Sequence, residues 1–434
     1  MKKWLIATLA LIMGWTSLQA QSVSPLEAKL YGLPDVIFEE TQGMTPEQVV
    51  YKCYVKQPID HTAPEKGHFY QKVYLLHAGY DRPTVINTSG YSSSRFYPTE
   101  LSMLLQANQL MVEHRFFGES MPETLDYQYL TMEQATADLH HVRELFGQIY
   151  DQKWISTGVS KGGMTTIIYR YFYPEDVDVS VPYVAPINQA FEEPRIYEFL
   201  DTVGTAECRD AIMAFQKRML KKRKEVLPLL KAYAKGAKLE FDYLTLEQAF
   251  EFAVLEYSFS FWQWGSNCAD IPEKSASIEE QVEYLLDVSG IDFFADQSMV
   301  DFASHYYQSA NQLGYYGYET EDFKGLLKAL PMQPHPHAAF TPDSMEVKYD
   351  GTLLDNLHKW FATGLDQFIF IYGANDTWSA SAVQPVDGAA SKWYFMEGKH
   401  HGNARIYFMT REEKQEVFQT LSEWLEIPVP AVTQ

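Results

Sequence analysis

Lys153-Trp154-Ile155-Ser156-Thr157-Gly158-Val159-Ser160-Lys161-Gly162-Gly163-Met164 is the stretch that decides the fold. Apolar and β-branched residues run into a G-x-S-x-G pentapeptide, and residues 164–171 follow with the composition of a helix. A strand that turns sharply into a helix around a serine is a nucleophile elbow, and the turn tolerates only small neighbours. Gly158 and Gly162 supply the missing side chains, and Gly163 adds slack. The N-terminus of the following helix would aim backbone N–H groups at whatever Ser160 attacks. A glycine-rich turn with an idle serine would look the same, so the partners have to be found elsewhere.

Working outward, strands alternate with helices on the N-terminal side. Residues 68–76 alternate loosely as a strand. Residues 84–88 are β-branched and lead into the polar loop Ser89-Gly90-Tyr91-Ser92-Ser93-Ser94. Residues 110–114 form another strand. Ala135, Leu139, Val142, Leu145, Phe146 and Ile149 mark a helix over 132–150 by three-to-four spacing. Residues 177–187 read as a strand. This alternation predicts a doubly wound, mostly parallel sheet.

From about 191 to 343 no convincing strand occurs. Helices are expected at 211–230, 244–257, 278–288 and 302–313, with a very aromatic segment at 257–265. Pro331, Pro334, Pro336 and Pro342 close this zone. Strand patterns return at 367–372 and 393–396, and a helix closes the chain at 412–425. The expected organisation is a leader at 1–20, an α/β-hydrolase domain in two parts at 21–190 and 346–434, and a helical cap at 191–345 between them.

The late strands supply the partners. Asp376 follows the first, and His400 and His401 follow the second. Sites in open α/β sheets form at the C-terminal ends of strands, and the α/β-hydrolase triad runs in the order Ser, acid, His. A serine hydroxyl needs a base to become a nucleophile. Histidine titrates in the right range to be that base, and a carboxylate fixes its tautomer. His401 is preferred because it stands three residues after Gly398 and directly before Gly402, with His400 as the alternative base. The oxyanion hole is expected from the backbone N–H groups of Lys161 and Tyr91. The Lys161 side chain is expected to be solvated or ion-paired. No metal or organic cofactor is required. Two histidines separated by a single residue, His335 and His337, make a weak metal pattern in a proline-rich segment.

Composition narrows the class. The 434 residues carry a formal charge of −22, which offers no basic face to nucleic acid or to an anionic membrane surface. Met1-Lys2-Lys3, an apolar stretch from Trp4 to Trp15 and a small residue at Ala20 have the layout of a cleavable secretory signal, cut after Ala20. The mature chain is therefore expected to be secreted or periplasmic. Three cysteines leave two arrangements open: Cys208 paired with Cys268 and Cys53 buried alone, or three free thiols.

Glu113-His114-Arg115-Phe116-Phe117-Gly118-Glu119-Ser120 resembles a stretch of lysosomal prolyl carboxypeptidase and its dipeptidyl peptidase relatives. Residues 307–316 are similar to a cap segment of that group. Gly158 to Gly163 and Lys399-His400-His401-Gly402-Asn403-Ala404 look closer to secreted bacterial prolyl tri/tetrapeptidyl aminopeptidases. The resemblance implies a serine exopeptidase that cuts after proline and releases short peptides from free N-termini. It places Lys161 where the lysosomal enzymes carry an aromatic residue, and Gln312 where they carry a glutamate. An acidic cap residue is implied for the substrate amine, with Asp270 and Glu319 as candidates. Other pocket candidates are Glu113, Arg115, Trp262, Trp264 and Gln312. The rival readings are a capped esterase or lipase, and a peptide-binding module with a relic triad.

Overall fold

A computed structural model describes residues 23–332, 339–341, 345 and 347–428. The leader at 1–20, the His335 and His337 pair, and Pro334, Pro336 and Pro342 lie outside the described residues. A nine-stranded sheet has the order β1-β2-β3-β5-β4-β6-β7-β8-β9. After helix α1 (Pro25–Tyr31) come β1 (Val36–Thr41), β2 (Val49–Pro58) and β3 (His68–His77). These three are antiparallel, and β3 also pairs antiparallel with β5. Then follow β4 (Thr84–Asn87), α2 (Glu100–Leu105), β5 (Asn108–Val112), α3 (Met132–Gly147), β6 (Trp154–Val159), α4 (Lys161–Phe172) and β7 (Val179–Tyr183). All pairings from β5 through β4 and β6 to the far edge are parallel.

An antiparallel leading edge followed by a parallel sheet that crosses over between β4 and β5 is the α/β-hydrolase arrangement, as the alternation predicts. The sequence reading missed β1 and β2. Strand β1 forms the edge and carries Glu39 and Glu40, while β2 lies between β1 and β3 and alternates buried with partly exposed positions, Lys52 among the latter.

Local chemistry explains the helices that matter. Thr131 caps α3 by accepting from the Gln134 amide, and the 135, 139, 142, 145 and 146 positions are buried on its inner face. Leu139, Val142, Leu145 and Phe146, with Tyr169 of α4, cover one face of the sheet. Leu101 of α2 and Val417, Leu421 and Leu425 of the last helix cover the other.

Between β7 and β8 the chain builds a helical layer: α5 (Arg195–Thr202), α6 (Ala206–Lys221), α7 (Arg223–Ala237), α8 (Leu246–Trp264), α9 (Ile278–Ser289) and α10 (Asp296–Gln308). It has its own apolar core, centred on Phe215, Phe250, Phe252, Tyr257 and Phe261. The expected single helix at 211–230 is two helices, and Pro228 lies inside the second. The aromatic segment at 257–265 is the C-terminal half of α8. This helix starts with a Thr245–Gln248 capping box and stops at Gly265 (φ +73°). Cys208 and Cys268 are joined as a disulfide within this layer, and Cys53 is free and buried in the sheet. Helix α11 (Thr352–Phe361), β8 (Ile369–Gly373), β9 (Lys392–Met396) and α12 (Arg411–Leu425) complete the sheet side.

Candidate active site

Ser160 stands at the tip between β6 and α4 with φ +58° and ψ −124°. A non-glycine residue held there stores about 1–3 kcal/mol of backbone strain, a cost that recurs where a side chain must be presented. The turn closes through Ser160 N donating to Tyr183 O (2.9 Å) and Met164 N donating to Ser160 O (2.9 Å). A Cβ on Gly158 would stand 2.6 Å from Thr88 Oγ1, and one on Gly162 would stand 2.7 Å from Ser89 O. The elbow therefore touches the loop after β4 directly, and only glycine permits that approach.

The loops after β8 and β9 are bonded to each other. Asn375 N donates to Lys399 O (2.9 Å), beside the parallel register Gly373 to Met396. This sets His401 Nδ1 against Asp376 Oδ2 at 2.7 Å. Asp376 is fully buried and His401 nearly so. The other Asp376 oxygen accepts from Trp378 N (3.1 Å). His400 takes a different path: its Nδ1 accepts from Gly402 N (3.3 Å), and its ring packs on Gly265. Burial pushes the His400 imidazole below its usual range, against the pull of Asp376.

A cavity of about 370 Å³ opens over Ser160. Tyr91, Phe259, Phe302, Tyr315, Tyr316, Trp264 and Trp378 give it a largely aromatic wall. The Trp264 ring meets the His401 ring edge-on, with centroids 5.7 Å apart. Among the described residues, neither the Lys161 N–H nor the Tyr91 N–H donates to another group.

The Lys161 side chain departs from expectation, being neither solvated nor ion-paired among the described residues. It is 2% exposed, its Nζ donates to Gly90 O (2.7 Å), and it lies over the rings of Tyr91 (5.2 Å) and Phe117 (4.9 Å). Burial drives its ammonium well below the usual range, while two ring faces favour the charged form. Its reach ties the elbow to the loop that carries Tyr91.

Several expected pocket residues lie elsewhere. Glu113 is fully buried, but its oxygens accept from Ser93 N (2.8 Å), Glu119 N (2.9 Å), Ser120 N (3.0 Å) and Ser120 Oγ (2.8 Å), and Lys72 Nζ sits 2.9 Å away. It braces the Gly90–Ser93 loop from behind. Arg115 is equally enclosed, bidentate to Asp138 (2.7 Å each) with its remaining donors on Ile59, Tyr129 and Pro58 carbonyls. Every donor is used, so it has nothing left for a ligand. Gln312 closes the start of α3, accepting from Met132 N (2.9 Å) and donating to Glu133 (2.8 Å). Trp262 and Glu319 line a separate cavity on the opposite side of α8. Asp270 is exposed on a short 3-10 turn and does not line the Ser160 cavity.

Among the cavity residues that the sequence does not single out, one carries a charge deep in the wall. Glu256 of α8 is 6% exposed and lines the same space as Ser160. Its oxygens accept from Ser260 Oγ (2.8 Å), Tyr316 OH (2.7 Å) and Tyr318 OH (2.8 Å). Burial pushes its carboxyl up to about 7 against those three donors. The signal available in sequence was a lone acid inside an otherwise apolar helical run, Phe252-Ala253-Val254-Leu255-Glu256-Tyr257.

Residues 21–434 match the family model described as PS-10 peptidase S37.

The chain belongs to the peptidase S37 family.

This S37 chain is thus a serine peptidase on an α/β-hydrolase fold. It is 31% identical over 431 residues to the prolyl tri/tetrapeptidyl aminopeptidase of Streptomyces mobaraensis, covering 96% of this chain and 90% of that one. It is 24% identical over 200 residues to the lysosomal Pro-X carboxypeptidase of Mus musculus, covering 41% of each. Among solved structures it is similar to the proline iminopeptidase of Mycobacterium smegmatis at 11% identity and a TM-score of 0.42, covering 86% of this S37 chain and 97% of that chain. That last likeness is too loose to bear on function. No helix among the described residues is long and apolar enough to cross a membrane.

Proposed function

We propose that Ser160, His401 and Asp376 act as a Ser-His-Asp triad in an exported exopeptidase that cuts after proline and releases tri- or tetrapeptides from free N-termini. The observation that carries the triad is the 2.7 Å contact between His401 Nδ1 and Asp376 Oδ2, at the ends of two adjacent parallel strands of a sheet whose elbow presents Ser160. With Nδ1 held by Asp376, Nε2 is the nitrogen that takes the serine proton. Ser160 Oγ adds to the carbonyl carbon of the proline residue, and the oxyanion is received by the N–H groups of Lys161 and Tyr91. His401 then protonates the leaving amine. Water, deprotonated by the same ring, releases the peptide from the acyl-enzyme.

Flat aromatic walls suit a proline ring, and the prolyl specificity in the name of the Streptomyces relative supports the same substrate class. The helical layer at 191–345 acts as a cap that limits entry to short or unstructured peptides. The mature chain is secreted or periplasmic after cleavage behind Ala20. The test is product mass spectrometry on a proline-containing peptide library with free and acetylated N-termini. Release of tri- and tetrapeptides ending in proline, from free termini alone, is the expected result. Turnover of short acyl esters without any peptide product would replace this reading with the esterase one.

A further inference from the structure

Glu256 is a buried carboxylate without a counter-charge. Among the described residues it makes no ion pair, and its hydrogen-bond partners are the hydroxyls of Ser260, Tyr316 and Tyr318. Removing a carboxylate from water without a partner is costly, and three hydroxyls compensate only in part. Structural carboxylates elsewhere in this chain are satisfied by cations, as Asp138 is by Arg115 and Glu193 by Arg195 (2.7 Å each). Glu256 instead faces the cavity that holds Ser160.

Its position on α8 sets a length. Glu256, Phe259, Ser260, Gln263 and Trp264 all line the cavity, at the i, i+3, i+4, i+7 and i+8 spacing of one helix face. At the other end of that face, Gln263 O accepts from His401 N (3.0 Å). Seven residues at 1.5 Å each place Glu256 about 10 Å along the helix from this contact. Three extended residues span at most about 10–11 Å.

We propose that Glu256 is the anchor for the substrate's terminal ammonium group, and that the α8 face from Glu256 to Gln263 measures the released peptide at about three residues. The inference rests on the exopeptidase reading above. The ammonium supplies the missing counter-charge, and the Tyr316 and Tyr318 hydroxyls both donate to one oxygen of the carboxylate and hold it in place. Two other acids of the cavity, Asp287 and Asp292, are exposed. Solvated carboxylates hold an ammonium only weakly.

The experiment compares Ala-Ala-Pro and acetyl-Ala-Ala-Pro p-nitroanilides on the wild type and on Glu256→Gln. The wild type is expected to favour the free amine by at least about 100-fold in kcat/KM, and the variant to bring that ratio within about threefold. A wild type that favours the free amine, together with a variant that keeps the preference, overturns the anchor and leaves the exopeptidase reading standing. A wild type indifferent to acetylation sinks both. Fluorophosphonate labelling of Ser160 reports whether the variant is folded. Should it not fold, a ladder on the wild type decides. Ala-Ala-Pro amide should outpace Ala-Pro and Ala-Ala-Ala-Ala-Pro amides at least tenfold, and equal rates along the ladder overturn the proposal.

Discussion

His401 Nδ1 and Asp376 Oδ2 stand 2.7 Å apart, held by loops that are themselves bonded from Asn375 N to Lys399 O. The carboxylate has no exposure and a second bond from Trp378 N. Asp376→Asn keeps the shape of this contact but favours the wrong tautomer of the ring. The expected fall in kcat is about 10⁴-fold, with the melting temperature little changed. Steady-state kinetics on a proline amide, beside a thermal melt, checks both.

His400 and His401 are adjacent but differently employed. His401→Ala should lower kcat by at least about 10³-fold, as loss of a triad base does. His400→Ala removes packing against Gly265 and a bond from Gly402 N. Its kcat should stay within about tenfold of wild type. Equal residual activity in the two variants would remove His401 from the role given to it.

Lys161→Met keeps the bulk between Tyr91 and Phe117 and removes the donor to Gly90 O. An unpaired buried carbonyl costs about 1–3 kcal/mol, and the loop with Tyr91 loses its tie to the elbow. A displaced oxyanion donor costs up to about 10²–10³ in kcat. The variant should therefore lose about 10- to 100-fold in kcat with KM within about threefold. A change confined to melting temperature would show that the lysine serves folding alone.

The Glu256 carboxyl moves from 4.5 to about 7 on folding. A raised acid stabilises the folded state fully below its unfolded value, and that contribution is lost as pH rises through about 7. The shift corresponds to roughly 3 kcal/mol. Glu256→Gln should therefore gain on the wild type by up to about that amount between pH 4.5 and 8 in denaturant titrations. The kinetic counterpart is the ratio of free to acetylated peptide turnover, which divides out His401. It should climb as pH rises to about 7 and fall above about 8, where a peptide amine loses its proton. The neighbouring Tyr306, Tyr315, Tyr316 and Tyr318 are all pushed above their usual range by burial and do not titrate in this window. His305 also lines the cavity, as do the exposed Asp287 and Asp292, so the Glu256→Gln profile serves as the control.

Cys208 and Cys268 close a loop across 60 positions. Chain entropy alone assigns such a cross-link about 4 kcal/mol. Reduction, or the double serine variant, should lower the melting temperature and reduce peptide turnover together, because the bridged layer carries Glu256. Calorimetry with and without a reductant, paired with an activity assay, measures this.

What the sequence made legible was local. The elbow, the two late strands and the residues just after them are read from short runs whose composition has one dominant solution. Strands β1 and β2 were not: β1 is an edge strand with no fully buried position and carries Glu39 and Glu40, while β2 pairs on both sides and holds a period-2 pattern of buried Tyr51, Cys53, Val55 and Gln57 that is present in the sequence. The helices at 211–230 merged because residues 206–237 stay helix-forming across the break at Lys222. Glu256 escaped for a different reason. Nearly every position of α8 between 249 and 262 is buried, so the sequence holds no polar stripe to say which face meets a cavity. Gln312 and Arg115 looked like binding residues because their chemistry suits ligands. Only the fold shows that backbone groups and Asp138 already occupy them.

Helix α8 is bonded to both late loops. Gln263 O accepts from His401 N, and Phe259 O accepts from Thr377 Oγ1 at 2.8 Å. The inserted helices therefore cannot be pruned away to leave a minimal hydrolase behind. Excision would cut two of the struts that position Asp376 and His401, and any inherited change in the insertion would be felt first as altered catalytic alignment. Drift in the shape of the cavity is in this sense tethered to the late loops: the same helix that lines the space over Ser160 is bonded to the segments that carry Asp376 and His401.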